Sequence, residues 1–259
     1  MGGVVRVEHT GRVTVVTLTR PERLNAIDTP TVEALGAAIA ELNRSDDVGA
    51  LVVTGEGKAF SAGADISELA TFERPAAFTA FIGRLTDAYD ALARLSVPSV
   101  AAINGMALGG GLELALACDL RIAAPTARLG APEVRLGLLP GAGGTARLTR
   151  MVPPAVAKQL LLTGEPITAA DAWRLGLVNE VVEHGTALGR ALELAAQLAS
   201  LPGLALTAAK MLVDEGARMS LADAVSLERQ TVSTLFGTDD RIEGLDAFLH
   251  RRPPSFSGR

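Results

Sequence analysis

A chain of 259 residues, 48% of them hydrophobic, is long enough for one large domain, or for a core with a smaller appendage. A net charge of −5 without any basic run argues against a nucleic-acid surface. No eighteen apolar residues follow one another, which argues against a membrane span, and the one cysteine, Cys118, rules out an intrachain disulfide.

The opening MGGVVRVEHTGRV lacks the apolar run of a secretory signal, and a lone cysteine suits a reducing compartment, so a soluble cytoplasmic protein is expected. Val4–Glu8 and Val13–Arg20 are β-rich and broken by Thr10-Gly11, which predicts a hairpin. Thr29-Pro30 predicts a helix start, with Thr29 as the cap and Pro30 in the first turn. Val32, Leu35, Ile39 and Leu42 follow at helical spacing, and Asp46-Asp47 is the expected stop. Ala50–Thr54 is a short apolar strand.

Ala76–Leu95 predicts a second helix with Phe78, Phe81, Leu85, Tyr89 and Leu92 on one side, broken by Pro98. Ser99–Ile103 is continuously apolar, as in a parallel sheet covered on both faces. Residues 112–118 predict another helix and Leu120–Ala123 another strand, so the class is α/β. Beyond about residue 185 only helices are expected, over 186–200, 203–215, 220–236 and 239–250. Leu188, Leu192, Ala195 and Ala199 form the stripe of the first of these. Leu201-Pro202-Gly203 suggests a boundary, with a core over 1–197 and a helical region over 198–259. That tail is too small for a good core and is expected to pack on the first domain, on another subunit, or on both.

Chemistry concentrates in glycine-rich places. NGMALGGGLELALACD, residues 104–119, follows a strand and opens a helix on three glycines. Glycine lets a ligand approach the backbone, and the first amides of a helix are unpaired at the positive end of its dipole. Tight helix–strand packing would explain the glycines alone. Glu113, set among Leu112, Leu114 and Leu116, needs more. A buried carboxylate is costly and is driven to a raised pKa, which suits general acid–base work near neutrality.

Glu133 stands in a second such place, GAPEVRLGLLPGAGG (130–144), and AFSAGADI (59–66) is a third glycine site. Two isolated acids in apolar, glycine-rich settings suggest a pair that handles protons. Gly141 to Ala146 formally fits G-x-G-x-x-A but follows no convincing strand, so a nicotinamide site is set aside. His9, His184 and His250 are too dispersed for a metal site, and Cys118 reads as a small core residue.

Together these stretches, with RPERLNA (20–26) and the closing TDDRIEGLDAFLHRRPPSF, resemble the crotonase family, the enoyl-CoA hydratases and isomerases. The resemblance implies a spiral of ββα turns followed by trimerising helices, and a homotrimer or a homohexamer made of two trimers. It implies an acyl-CoA thioester as partner and no cofactor beyond the coenzyme A of the substrate. It places the thioester carbonyl between the backbone amides of Ala64 and Gly110, and makes Glu113 and Glu133 the catalytic pair. CoA contacts are implied at Arg23, Leu24, Ala26, Ala62, Asp65 and Ile66, at Pro132 and Gly141, and at Phe248 and Arg251. In that tail His250-Arg251 replaces the family's usual Glu-Lys. The implied reaction is hydration of a 2-trans-enoyl-CoA. Enoyl-CoA isomerisation or another acyl-CoA transformation is the alternative, and a non-catalytic or RNA-binding member the third reading. The acyl pocket is expected around Leu69, Phe72, Phe81 and Leu85 and near Leu138-Leu139.

Overall fold

The structure is a computed structural model that describes residues 3–45 and 47–258. Asp46, half of the expected helix stop, lies outside the described residues. The chain begins with strands β1 (Val5–Thr10) and β2 (Val13–Leu18), helix α1 (Thr29–Leu42) and strands β3 (Ala50–Gly55) and β4 (Ala59–Ser61). Helices α2 (Ile66–Leu69) and α3 (Pro75–Ala93) lead to β5 (Ser99–Ile103), β6 (Met106–Leu108), α4 (Gly110–Ala117), β7 (Leu120–Ala123) and β8 (Arg128–Gly130). Then come α5 (Gly144–Met151), α6 (Pro154–Thr163), β9 (Ile167–Thr168), α7 (Ala169–Arg174) and β10 (Glu180–Val181). The chain closes with α8 (Ala187–Ala199), α9 (Gly203–Gly216), α10 (Leu221–Leu235) and α11 (Asp239–Leu249).

Two sheets run side by side. The larger has the order β1-β2-β3-β5-β7-β10 and the smaller β4-β6-β8-β9. The pairs β3/β4, β5/β6 and β7/β8 each place one strand in each sheet before the chain turns into a helix. β2, β3, β5, β7 and β10 are parallel neighbours, while β1 closes the edge as an antiparallel hairpin. This is an α/β spiral of ββα turns.

β3 and β5 are buried along their whole length, as strands covered on both faces must be. Successive side chains point to opposite faces. Val16, Leu18, Leu51, Val53, Ala101 and Ile103 join the core with Leu35 and Ile39 of α1 and Phe81, Leu85 and Tyr89 of α3. Val13, Val15, Ala50, Val52, Val100 and Ala102 face α8.

Three expectations need correction. The cap of α1 is Asp28, one residue before Thr29: its extended backbone lets the carboxylate accept the Thr31 N–H at 3.0 Å. The helix predicted over 112–118 begins at Gly110. The stripe of α8 is Ala187, Ala191, Ala195 and Ala199, and Leu188 is exposed. The helix lies so near the sheet that a Cβ on Gly49 would stand 2.8 Å from the Ala199 Cβ, so leucine does not fit there.

α9 is tied to the core by Lys210, whose ammonium lies 2.9 Å from Asp119. The same Asp119 oxygen accepts the Ser99 N–H and O–H. Beyond this anchor the tail carries much exposed apolar surface, with Leu221, Val225, Phe236, Ile242, Leu245 and Leu249 open to solvent. Among the described residues no single helix is long and apolar enough to cross a membrane.

Candidate active site

Two unpaired amides meet at the start of α4. Leu24 and Asn25 both have positive φ, at 52° and 54°. The buried Asn25 amide holds this kink by donating to the carbonyls of Glu56 and Ala59 at 2.9 and 2.8 Å. The kink brings Ile27 alongside residues 63–65. Ile27 donates to the Gly63 carbonyl at 2.8 Å and accepts from Asp65 at 2.9 Å, which leaves the Ala64 N–H unused. Among the described residues neither Ala64 nor Gly110 donates its N–H to a partner. The two are neighbours, since a Cβ on Gly110 would lie 3.5 Å from the Ala64 nitrogen. Gly110 is also the first residue of α4, where the helix dipole is positive.

The glycine triplet meets three separate demands. Gly109 has φ 52° and ψ −123°, a conformation that side chains rarely adopt, and a Cβ there would stand 3.0 Å from Glu133 Oε1. Gly110 brings its bare amide beside Ala64. Gly111 lies against β4, where a Cβ would stand 2.4 Å from the Ser61 carbonyl oxygen.

Both acids lie at the same helix start. Glu113 is 3% exposed, and its Oε1 accepts the N–H of Ala142 at 2.7 Å and of Gly144 at 2.8 Å. Burial raises its pKa, opposed by these two amides and by the Arg147 charge. Glu133 sits on a short 3₁₀ turn, Pro132–Leu136, opened by Pro132. Its Oε2 is buried and, among the described residues, has no hydrogen-bond partner. Burial pushes its pKa up to about 7; a hydrogen bond from its own backbone opposes this, and the Glu113 charge adds to it. Thus Gly110 and Glu113 of α4 are joined at one place by Ala64 and Glu133 from distant parts of the sequence.

The remaining predicted residues divide. Leu24 and Ala62 are linked backbone to backbone at 2.9 Å, and the Ala26 carbonyl accepts from Arg20 at 2.6 Å. Arg23 and Ile66 are exposed beside them. The Asp65 carboxylate is taken up within the protein, capping α2 through Ser67 and pairing with Arg20 at 3.0 Å. The Asp65 backbone is also engaged, the N–H donating to the Ile27 carbonyl and the carbonyl accepting from Glu68 and Leu69, so the structure does not support Asp65 as a polar ligand contact. A Cβ on Gly141 would meet Ile82 at 3.2 Å. Phe248 and Arg251 are exposed at the end of α11, and Arg251 has φ 54°. Phe81 and Leu85 prove to be core packing; Leu69 and Phe72 are partly buried against that core, and Leu138 and Leu139 are exposed.

Several residues that shape the site carry no local signal in the sequence. Ala142 and Gly144 hold Glu113, Arg147 holds their loop, and the buried Tyr89 hydroxyl donates to the Gly110 carbonyl at 2.8 Å. The one available hint is the Gly-Ala-Gly-Gly run itself, a cluster of small residues whose amides lie open to an acid. Cys118 is a buried core thiol pushed up to about 12 by burial. Among the described residues no group of three or more His, Cys, Asp or Glu could hold a metal ion.

A family model described as "Enoyl-CoA hydratase/isomerase" matches residues 8–259. The chain belongs to this family. The enoyl-CoA hydratase/isomerase relatives include the "Probable enoyl-CoA hydratase echA8" of Mycobacterium tuberculosis, 41% identical over 255 residues and 98% of each chain. The "Short-chain-enoyl-CoA hydratase" of Clostridium acetobutylicum is 40% identical over 250 residues, 96% of this chain and 95% of that protein. The crystal structure of an enoyl-CoA hydratase from Bacillus anthracis superposes with a TM-score of 0.96 at 36% identity, covering 99% of this chain and all of that one. The fold is therefore that of the crotonase enzymes.

In this member of the enoyl-CoA hydratase/isomerase family, Glu133 makes stability depend on pH. Its folded-state pKa of about 7 exceeds the ordinary 4.5, so the folded state binds the proton more tightly than the unfolded chain. This contribution is complete below the ordinary value and is lost as pH rises through the folded one. Glu133→Gln, which never charges, is therefore expected to melt above the native protein at pH 8, with the gap closing towards pH 5. Thermal unfolding across that range measures it, and a gap independent of pH would contradict the assignment.

Proposed function

We propose that this chain is an enoyl-CoA hydratase, adding water reversibly and syn across a 2-trans-enoyl-CoA to give a 3-hydroxyacyl-CoA. One observation carries the reading: two carboxyls of raised pKa, Glu113 buried and Glu133 half-buried, stand beside two backbone amides that have no partner among the described residues. The amides of Ala64 and Gly110 would receive the thioester oxygen. Each such donor is worth about 2.7–4 kcal/mol in the transition state. Electron density drawn to that oxygen leaves C3 open to attack.

The environments divide the work between the acids. Glu113 receives two N–H donors on Oε1, which favours its carboxylate and leaves Oε2 for a water. Glu133 has an oxygen without a donor among the described residues and a pKa of about 7, which favours its protonated form. Glu113 takes a proton from water as the oxygen bonds to C3. The displaced π pair passes to the thioester as an enolate, and its C2 then takes the proton of Glu133. The cycle leaves Glu113 protonated and Glu133 ionised, and one proton exchange restores both.

Isomerisation between C2 and C4 requires only one base, and two acids in place support hydration over it. Relatives named as hydratases support the same activity. The partly accessible Ala62 and Ala64, with Ile66 and Arg23 exposed beside them, suit a CoA chain. The open apolar surface of α9, α10 and α11 supports assembly into a trimer or a hexamer of two trimers, with residues 198–259 as the assembling region. A cytoplasmic location and no cofactor apart from substrate CoA complete the reading. The test is a panel of enoyl-CoA thioesters, led by crotonyl-CoA, followed by loss of conjugated absorbance and product identification. Formation of a 3-hydroxyacyl-CoA is expected; double-bond migration without hydration would overturn the proposal in favour of an isomerase.

A further inference from the structure

Glu113 is oriented by a loop that has its own clamp. Both of its donors, the Ala142 and Gly144 amides, converge on Oε1 from one short segment. Between them lies the peptide joining Ala142 to Gly143, whose carbonyl accepts from Arg147 Nη1 at 2.8 Å. Gly143 has φ 94°, and a Cβ on it would fall 2.2 Å from the same Nη1, so the guanidinium presses directly on the loop. The other arm, Nη2, lies 2.5 Å from Asp90 Oδ1 on α3. Arg147 is well buried, with 17% of its side chain exposed, and its planar fork spans the two acceptors as lysine would not.

We infer that Arg147, anchored by Asp90, is a positioning residue that holds the Ala142–Gly144 loop so that both amides point at Glu113 Oε1. The inference goes beyond the hydratase reading and rests on it only for its kinetic consequence. Arg147 touches neither the acid's free oxygen nor the place for the thioester; it acts through two peptide planes. If it is removed, the carbonyl of Ala142 loses its partner and the loop gains freedom to turn an amide away. Glu113 then keeps its burial while losing the donors and the positive charge that favour its ionised form. The charged and titratable groups facing Glu113 are Arg147 from α5, Glu133 from the 3₁₀ turn and Tyr89 from α3.

The experiment compares native protein, Arg147→Gln, Arg147→Lys and Asp90→Asn by two readouts. The first is a carbon-13 titration of the Glu113 carboxyl in glutamate-labelled protein, assigned by its disappearance in Glu113→Gln. The second is kcat and KM for crotonyl-CoA across pH. Arg147→Gln is expected to raise the Glu113 titration midpoint by about one unit and to lower kcat about tenfold, with KM little changed. The ascending limb of the pH–rate profile should move with the midpoint. Arg147→Lys and Asp90→Asn, which keep the charge but not the fork or its anchor, should fall between. An unmoved midpoint in Arg147→Gln overturns the inference, even with a lower kcat. The titration needs no turnover, so it decides the role of Arg147 even if the protein fails to hydrate any enoyl-CoA.

Discussion

Glu133→Gln and Glu113→Gln are each expected to lower crotonyl-CoA hydration by at least about 10²-fold, as loss of a general acid or base implies. Binding of a saturated acyl-CoA should survive, because the Ala64 and Gly110 amides belong to the backbone and neither substitution touches them. The fold should survive as well. A glutamine at 113 keeps a carbonyl oxygen for the amides of Ala142 and Gly144, and a glutamine at 133 removes an ionisable group from a half-buried position. Calorimetric titration with butyryl-CoA beside the absorbance assay separates binding from turnover. Near-native turnover in either variant would remove that acid from the mechanism, and joint loss of binding and turnover would point to a collapsed site.

Gly111→Ala is expected to cost both stability and activity, while the same change at Gly189 should do neither harm. At Gly111 the new methyl would stand 2.4 Å from the Ser61 carbonyl oxygen and 2.7 Å from its Cβ. The obstacle is main chain of β4, which cannot swing aside as a side chain can. Overpacking of this kind costs about 1–3 kcal/mol or more, which exceeds the roughly 1 kcal/mol that alanine gains over glycine in a helix. Relief requires α4 to move, and α4 carries both the Gly110 amide and Glu113. At Gly189, exposed on α8, nothing lies within 4 Å, so the helix preference acts alone and the midpoint should rise. Denaturant midpoints for the two variants should therefore shift in opposite directions, with activity lost only in Gly111→Ala. A shift of the same sign in both would show that the close approach at Ser61 is not limiting.

Local order is largely legible in the residues. The tail helices fall close to their predicted spans, and the buried strands follow their continuous apolar runs. What is not legible depends on distance through space. Asp28 and Thr29 are both good caps by type, and only the backbone angles of Asp28 decide between them. Leu188 outranks Ala187 in hydrophobicity, yet Ala187 is the buried one and Leu188 is exposed, which only the seating of α8 on the sheet decides. The acids stand out because a carboxylate amid leucines or beside glycines is locally conspicuous. Their surroundings do not: Ala142, Gly144 and Arg147 are about thirty residues from Glu113, and the loop they form resembles a dinucleotide motif. Tyr89 counts as one more apolar residue on a helix face, since nothing local reveals that its hydroxyl reaches Gly110.

The neighbouring amides of Ala64 and Gly110 have a consequence for how such a scaffold evolves. A main-chain donor survives every single-codon change at its own position except one to proline, whereas a glutamate is lost by almost any. With these amides in their proposed role, thioester polarisation would be inherited with the fold and robust to drift, while the groups proposed to move protons around it would be individually replaceable. Descendants of this chain could exchange one reaction for another without having to reinvent the activation of the substrate.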